Sequence, residues 1–391
     1  MVRSAGMLKL LCITLLATYL PLVFAENAKI LRATVESTLV DASTVASIEK
    51  LAGKKVSAPN KNLPLKLLAS VETGKNQTFT DVLVDTGSGI LWVGGQKRYK
   101  PGRFSKRLGD FAISYAVGFA SGPAYTDRVK IGDAIVKSQI IGAANHTEGN
   151  NIVLSVDGIL GLAPSGANSG QIIGHESTPN FVESLVKEGS IDKPTFGIHI
   201  SPLNPKTGKA ISTGEITFGG VDEDRFTGKI VWLPTNTLDS LRWAFNVTSF
   251  SFGTLKLMDP AALTARTDCG VSGIGVPFDF LYEILAAVPG STITGSDDWF
   301  GLAFPPNQTA STLPPLRLGL GEKNKIFELP ASLYLIPKAL YAPLGLTKNL
   351  TYSWIGPGGS GSFMLGQQWL QGLYSAYDME RRRIGFALPK N

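Results

Sequence analysis

The sequence predicts a mainly β protein built from two related β-rich lobes, and three observations carry that prediction. From Leu65 onward, short β-branched and apolar runs alternate with Gly, Asn, Asp and Ser turns, as in Asp81 to Val84, Phe111 to Tyr115, Ile135 to Ile141 and Glu215 to Phe218. A turn sequence also recurs. Val84, Asp85, Thr86, Gly87, Ser88, Gly89 returns loosely as Thr267, Asp268, Cys269, Gly270, Val271, Ser272, Gly273, and each copy is followed far downstream by two apolar residues and a glycine: Ile159, Leu160, Gly161, then Met364, Leu365, Gly366. An echo of this kind indicates a duplicated unit. Finally, 391 residues are more than one core normally organises.

The elements follow in order. Arg3 and Lys9 precede an apolar stretch from Leu10 to Phe24 that ends at Ala25, the pattern of a secretory signal peptide over residues 1–25. A membrane anchor would want about 20 apolar residues with flanking stops, and no later segment is long and apolar enough to span. Residues 26–60 are polar, with Lys50, Lys54 and Lys55, and Lys61 just beyond; they read as a removable propeptide or a flexible arm. The N-terminal β lobe is expected over 61–235 and the C-terminal β lobe over 236–391. Helices are few, with Phe181 to Lys187, Phe278 to Ala287 and Ala331 to Ala339 the best candidates.

Composition narrows the function. With 43% hydrophobic and 17% charged residues the chain is neither disordered, collagen-like nor a coiled coil. Its net charge of +6 falls to +4 once Arg3 and Lys9 leave with the leader, and the only basic run is Arg381, Arg382, Arg383, so no nucleic-acid partner is expected. Cys12 also lies in the leader, so Cys269 stands alone and no intramolecular disulfide is possible. Five sequons, at Asn76, Asn145, Asn246, Asn307 and Asn349, agree with a secreted, extracellular glycoprotein. The histidines His146, His175 and His199 are too scattered for a helix-borne metal pair and read as surface residues; there is no Gly-x-Ser-x-Gly elbow or phosphate-binding loop. No metal and no cofactor are expected.

Asp-Thr-Gly by itself is weak, but the ordered set is specific: Val84, Asp85, Thr86, Gly87, Ser88 with Trp92; Ile113, Ser114, Tyr115 before Gly118; Asp157 to Gly161; and Tyr377, Asp378 with Arg383, Ile384, Gly385, Phe386, Ala387. With it the chain resembles the pepsin-like aspartic proteases, and among them the basidiomycete polyporopepsin type, from about Leu65 to Ala387. The resemblance implies a bilobal fold with an active-site cleft between the lobes, a zymogen, and a monomer acting on polypeptides. It implies that Asp85 and Asp268 are catalytic. Metal-free peptide hydrolysis needs one group to take a proton from water and one to give a proton to the carbonyl, and two carboxyls sharing a proton supply both. Gly87 and Gly270 would free the backbone for close approach and for turn geometry, Ser88 would support the ionised Asp85, and Thr86 and Cys269 would tie the two turns together. Tyr115 and Gly118 would belong to a mobile hairpin, the flap, with Trp92 buttressing the tyrosine.

The second turn departs from the family pattern. Cys269 replaces Thr or Ser, which weakens the expected link between the turns; Val271 replaces a hydroxyl residue unless Ser272 substitutes. Arg266 and Thr267 replace apolar residues, with Arg266 either facing the two carboxyls or reaching to solvent. Two functions therefore stand: a secreted aspartic endopeptidase working in acid, or a catalytically impaired relative that binds peptides or a secreted partner in the same cleft.

Overall fold

The computed structural model describes residues 29–39, 65–116, 118–149, 156–257, 263–296, 299–359 and 361–390. The leader, Lys50, Lys54, Lys55 and Lys61 lie outside the described residues.

The first half contributes β1 (Leu31–Leu39), β2 (Leu65–Thr73), β3 (Gln77–Asp85), β4 (Leu91–Val93), β5 (Lys106–Tyr115), β6 (Gly118–Ile131), β7 (Ala134–Ala143), β8 (His146–Gly149), β9 (Gly158–Gly161), β10 (Thr195–His199), β11 (Gly214–Phe218) and β12 (Phe226–Pro234). The second contributes β13 (Ala244–Phe252), β14 (Leu255–Leu257), β15 (Thr264–Thr267), β16 (Ile274–Pro277), β17 (Thr292–Ser296), β18 (Trp299–Phe304), β19 (Leu316–Leu320), β20 (Lys325–Leu329), β21 (Thr351–Tyr352), β22 (Ile355–Gly359), β23 (Ser362–Leu365), β24 (Tyr374–Asp378) and β25 (Arg383–Pro389).

The echo in the sequence becomes a repeated strand arrangement. In the first half the order β3, β9, β4, β7 places β9 parallel to β3, with Val84 opposite Leu160 and Asp85 opposite Gly161, and antiparallel to β4. In the second half β15, β23, β16, β22 repeats it: β23 runs parallel to β15, with Arg266 opposite Met364 and Thr267 opposite Leu365, and antiparallel to β16. Gly161 and Gly366 occupy matching places for the same reason. A Cβ there would lie 2.5 Å from the Ile90 nitrogen and 2.2 Å from the Gly273 oxygen, respectively, so the strand crossing tolerates only glycine.

Two features depart from the sequence expectation. Within the 26–60 segment, Leu31–Leu39 is no loose arm: β1 pairs antiparallel with β11 on one side and β2 on the other. Its alternation buries Ala33 and Val35, and Arg32 Nε reaches Asp222 Oδ2 at 3.0 Å. Further, β24 and β25, late in the 236–391 stretch, are hydrogen-bonded into the large sheet beside β10 and β12. Beneath that seam Phe196 stacks on Tyr377 at 4.6 Å and Trp243 meets Tyr377 edge-on at 5.1 Å, joining the apolar cores of both halves.

Helices α1 (Phe181–Lys187) and α2 (Phe278–Ala287) form as predicted, α1 through an Asn180 and Glu183 capping box. The third stretch is shorter than expected. Only α3 (Ala331–Tyr334) forms before the chain extends at Leu335, because Pro337 excludes helix from the residue before it and offers no N–H; a 3-10 turn follows at Lys338–Leu340. A short helix at Gln367–Leu370, α4, carried no periodic signal.

Candidate active site

β3 and β15 end side by side, so the turns that follow them face each other across the seam. Each strand delivers its aspartate at the point where the ladder stops. The Leu162 N–H donates to the Asp85 carbonyl at 2.8 Å, and the Asp268 N–H donates to the Leu365 carbonyl at 3.2 Å. The two turns then interlock reciprocally. The Cys269 N–H donates to Thr86 Oγ1 at 3.0 Å, the Thr86 hydroxyl reaches the Thr267 carbonyl at 3.5 Å, and the Cys269 thiol donates to the Val84 carbonyl at 3.2 Å. Each side chain thus meets the carbonyl just before the other turn's aspartate. The link expected to be weaker at Cys269 is formed, through a thiol that is a weak donor. Cys269 is buried and free, and burial beside Asp85 pushes its thiol well above the ordinary range, so it is no nucleophile.

The glycines explain the spacing of the carboxyls. A Cβ on Gly87 would stand 2.3 Å from Asp268 Oδ2, and one on Gly270 would stand 2.7 Å from Asp85 Oδ1. Neither glycine has the left-handed backbone that would demand it, so the turn-geometry half of the expectation is corrected: close approach alone requires glycine at both positions.

Each carboxyl accepts from the backbone of its own turn. Asp85 accepts from the Gly87 N–H at 2.8 Å and from the Ser88 hydroxyl. Asp268 accepts from the Gly270 N–H at 3.0 Å, and Val271, with 39% of its surface exposed, offers no hydroxyl. Burial, the charge of Asp85 and a hydrogen bond between the two carboxyls hold Asp268 well above the usual carboxylate range. The two carboxyls therefore titrate as a coupled pair rather than as two independent groups.

The hairpin of β5 and β6 reaches over this pair. Tyr115 and Gly118 face each other in its register beside the tip, and Val117 lies outside the described residues. The fully buried Trp92 donates its indole N–H to the Tyr115 hydroxyl at 2.7 Å, and that hydroxyl also meets Ser88. Trp92, Tyr115, Ser88 and Asp85 form a continuous chain of polar contacts from the β4 core to the carboxyl.

Several predicted residues lie elsewhere. Asn76, Asn145, Asn246, Asn307 and Asn349 are all exposed and away from the turns. Arg266 does not salt-bridge the carboxyls; its guanidinium is 4.0 Å from Asp239. His199 is not the surface histidine expected from sequence: it is 8% exposed in β10, and burial lowers its pKa. Sequence reasoning missed Trp243, whose indole N–H donates to the Leu162 carbonyl at 2.9 Å and so fastens the second half to the first beside Asp85. A single tryptophan between a turn and a strand carries no motif that could have revealed it.

Comparison with known proteins agrees with this geometry. The family model described as Eukaryotic aspartyl protease matches residues 66–389. Polyporopepsin of Irpex lacteus is 29% identical over 342 residues, covering 85% of this chain and 96% of that protein. Gastricsin of Mus musculus is 28% identical over 322 residues, covering 78% and 76%. The crystal structure of aspartic proteinase from Irpex lacteus superposes with a TM-score of 0.74 at 25% identity, over 92% of this chain and 98% of that one.

Proposed function

Because the chain belongs to the eukaryotic aspartyl protease family, and is thereby an aspartic-type endopeptidase acting on polypeptides, we propose that Asp85 and Asp268 are its catalytic pair, that it works in acid, and that it is secreted. The observation that carries the catalytic reading is the mutual approach of the two turns, which sets the Asp268 carboxyl beside Asp85 and holds it well above the usual carboxylate range.

The chemistry follows from that pairing. A water held between the carboxyls gives a proton to Asp85 as its oxygen attacks the scissile carbonyl carbon, and Asp268 gives its proton to the carbonyl oxygen. The resulting diol collapses when one hydroxyl returns its proton to Asp268 while Asp85 passes the water-derived proton to the leaving nitrogen. Both carboxyls end as they began. Tyr115 and the rest of the hairpin cover the site and exclude bulk water, and Trp92 fixes the tyrosine hydroxyl. An extended peptide binds along the cleft by backbone hydrogen bonds and side-chain pockets. The acid range follows because the mechanism needs the proton on Asp268.

Secretion and glycosylation are supported by the leader pattern and by the exposure of all five sequon asparagines. In the same reading residues 26–60 are a propeptide, and its removal must extract or replace β1. Against the peptide-binding alternative, the Cys269 contact to Val84 still ties the second turn to the first. The test is acid incubation of the secreted protein with a denatured protein substrate, with and without a statine-type inhibitor, beside Asp85→Asn. Inhibitable cleavage that the variant lacks is the expected result. A folded, processed sample that cleaves nothing refutes the catalytic reading.

A further inference from the structure

We propose that Arg266 is a specificity-determining residue that selects an acidic side chain in the substrate next to the scissile bond, an inference that rests on the protease reading above. The strand places it there. Ala265 and Thr267 point into the core, each 1% exposed, so alternation along β15 puts Arg266 on the face it shares with Asp268. A residue two positions away on one strand face lies about 7 Å along the strand. An extended substrate advances by about 3.3 Å per residue, so a side chain one or two positions from the cut bond passes within reach of the guanidinium.

The local charge is incompletely matched. Arg266 Nη1 is 4.0 Å from Asp239 Oδ2, a loose contact, because Arg242 Nη1 already holds Asp239 Oδ1 at 3.1 Å. Two guanidiniums around one carboxylate leave one positive charge over. At the register of Arg266 the flanking strands present Ala244 and Met364, which carry no charge. Burial beside Asp85 holds the Asp268 carboxyl well above the usual carboxylate range, so it opposes the guanidinium less than an ordinary carboxylate would. The Arg266 side chain keeps 32% of its surface open to solvent, so an incoming carboxylate reaches it without displacing the core. Its planar fork matches a carboxylate in two hydrogen bonds. The preference requires an ionised substrate side chain and therefore strengthens as pH rises above about 4, while the arginine stays charged throughout.

The experiment compares paired peptides differing only as Glu or Gln at each position from three before to three after the cut, using the mature enzyme and Arg266→Gln. At one position next to the cut the wild type should favour Glu by about three- to tenfold in kcat/KM at pH 5. Arg266→Gln should abolish the preference, bringing the kcat/KM ratio of the Glu and Gln peptides to about one. Equal kcat/KM for every pair in an active wild type overturns the proposal, as does a preference that survives in Arg266→Gln. A second arm measures binding of the same pairs to Asp85→Asn, which needs no turnover. Tighter binding of the Glu peptide there, lost in Asp85→Asn with Arg266→Gln, supports the subsite even if the protease reading fails; equal binding refutes it.

Discussion

Replacing Gly87 by alanine tests the interlocked geometry most directly. The added methyl carbon would fall 2.3 Å from Asp268 Oδ2 and 2.7 Å from its Cγ. A carbon to oxygen contact is comfortable only beyond about 3.3 Å, so the Asp268 carboxyl and the backbone of the first turn must separate by about 1 Å. Neither side yields easily, since the Asp268 N–H is bonded to Leu365 and the Cys269 N–H to Thr86. A displacement of about 1 Å at reacting groups costs on the order of 100-fold in rate, and overpacking of this kind costs about 1–3 kcal/mol of stability. The assay is kcat on a fluorogenic peptide in acid beside a thermal melt. Gly270→Ala, whose methyl would stand 2.7 Å from Asp85 Oδ1, should lose about tenfold because the needed retreat is smaller. Gly109→Ala serves as control, with its nearest atom at an ordinary 3.4 Å. If Gly87→Ala keeps kcat within about threefold of wild type, the close approach is not what positions the pair and the reasoning fails.

Other outcomes follow from the same contacts. Ser88→Ala removes the hydroxyl that supports the charge on Asp85; a hydrogen bond to a charged group is worth roughly 1.5–3 kcal/mol, so kcat/KM should fall about 10- to 100-fold, and an unchanged value counts against the charge assignment. Cys269→Thr replaces a weak donor to the Val84 carbonyl with a hydroxyl and should raise the melting temperature by an amount equivalent to about 0.5–1 kcal/mol with activity retained; a lower melting temperature would show that sulfur is the better fit. The pH dependence of stability reports on Asp268. Its folded-state pKa lies above the unfolded value, so the folded protein holds the proton more tightly. That contribution is complete below the ordinary aspartate range near about 3.9 and is lost as pH rises through the folded-state value. Asp268→Asn should flatten the decline in denaturant midpoint over that interval, and an identical decline in the variant would assign it to other groups.

Much of the architecture was visible in residue pattern because the chain repeats itself. Asp-x-Gly turns and apolar-apolar-Gly strands are local signatures, and the parallel pairing of β3 with β9 and of β15 with β23 needs both members of each. Trp92 and Tyr115 were found together because they sit in neighbouring motifs. What stayed hidden depends on distance in the chain. The hydrogen bond of Gln367 to Ser37 spans 330 positions, and the short alternation of Leu31, Ala33 and Val35 does not by itself say that β1 joins the sheet between β2 and β11. The thiol contact of Cys269 also escaped prediction, because donor chemistry alone does not say how close the Val84 carbonyl comes. Arg266 was ambiguous for a related reason: alternation gives the strand face, while the loose Asp239 contact requires a turn from another part of the chain.

The late entry of β24 has a consequence for synthesis. β10 pairs with β11 on one side, and its other side waits for β24. The chain from His199 to Tyr374 must be made first, which at roughly 5–20 residues per second takes about 9–35 s. During that interval a strand with four buried residues of five offers an open edge to any other extended chain. Production of this protein in a foreign host should therefore be limited by chaperone capacity during elongation, and shortening the chain by as little as its last two strands would make that vulnerability permanent.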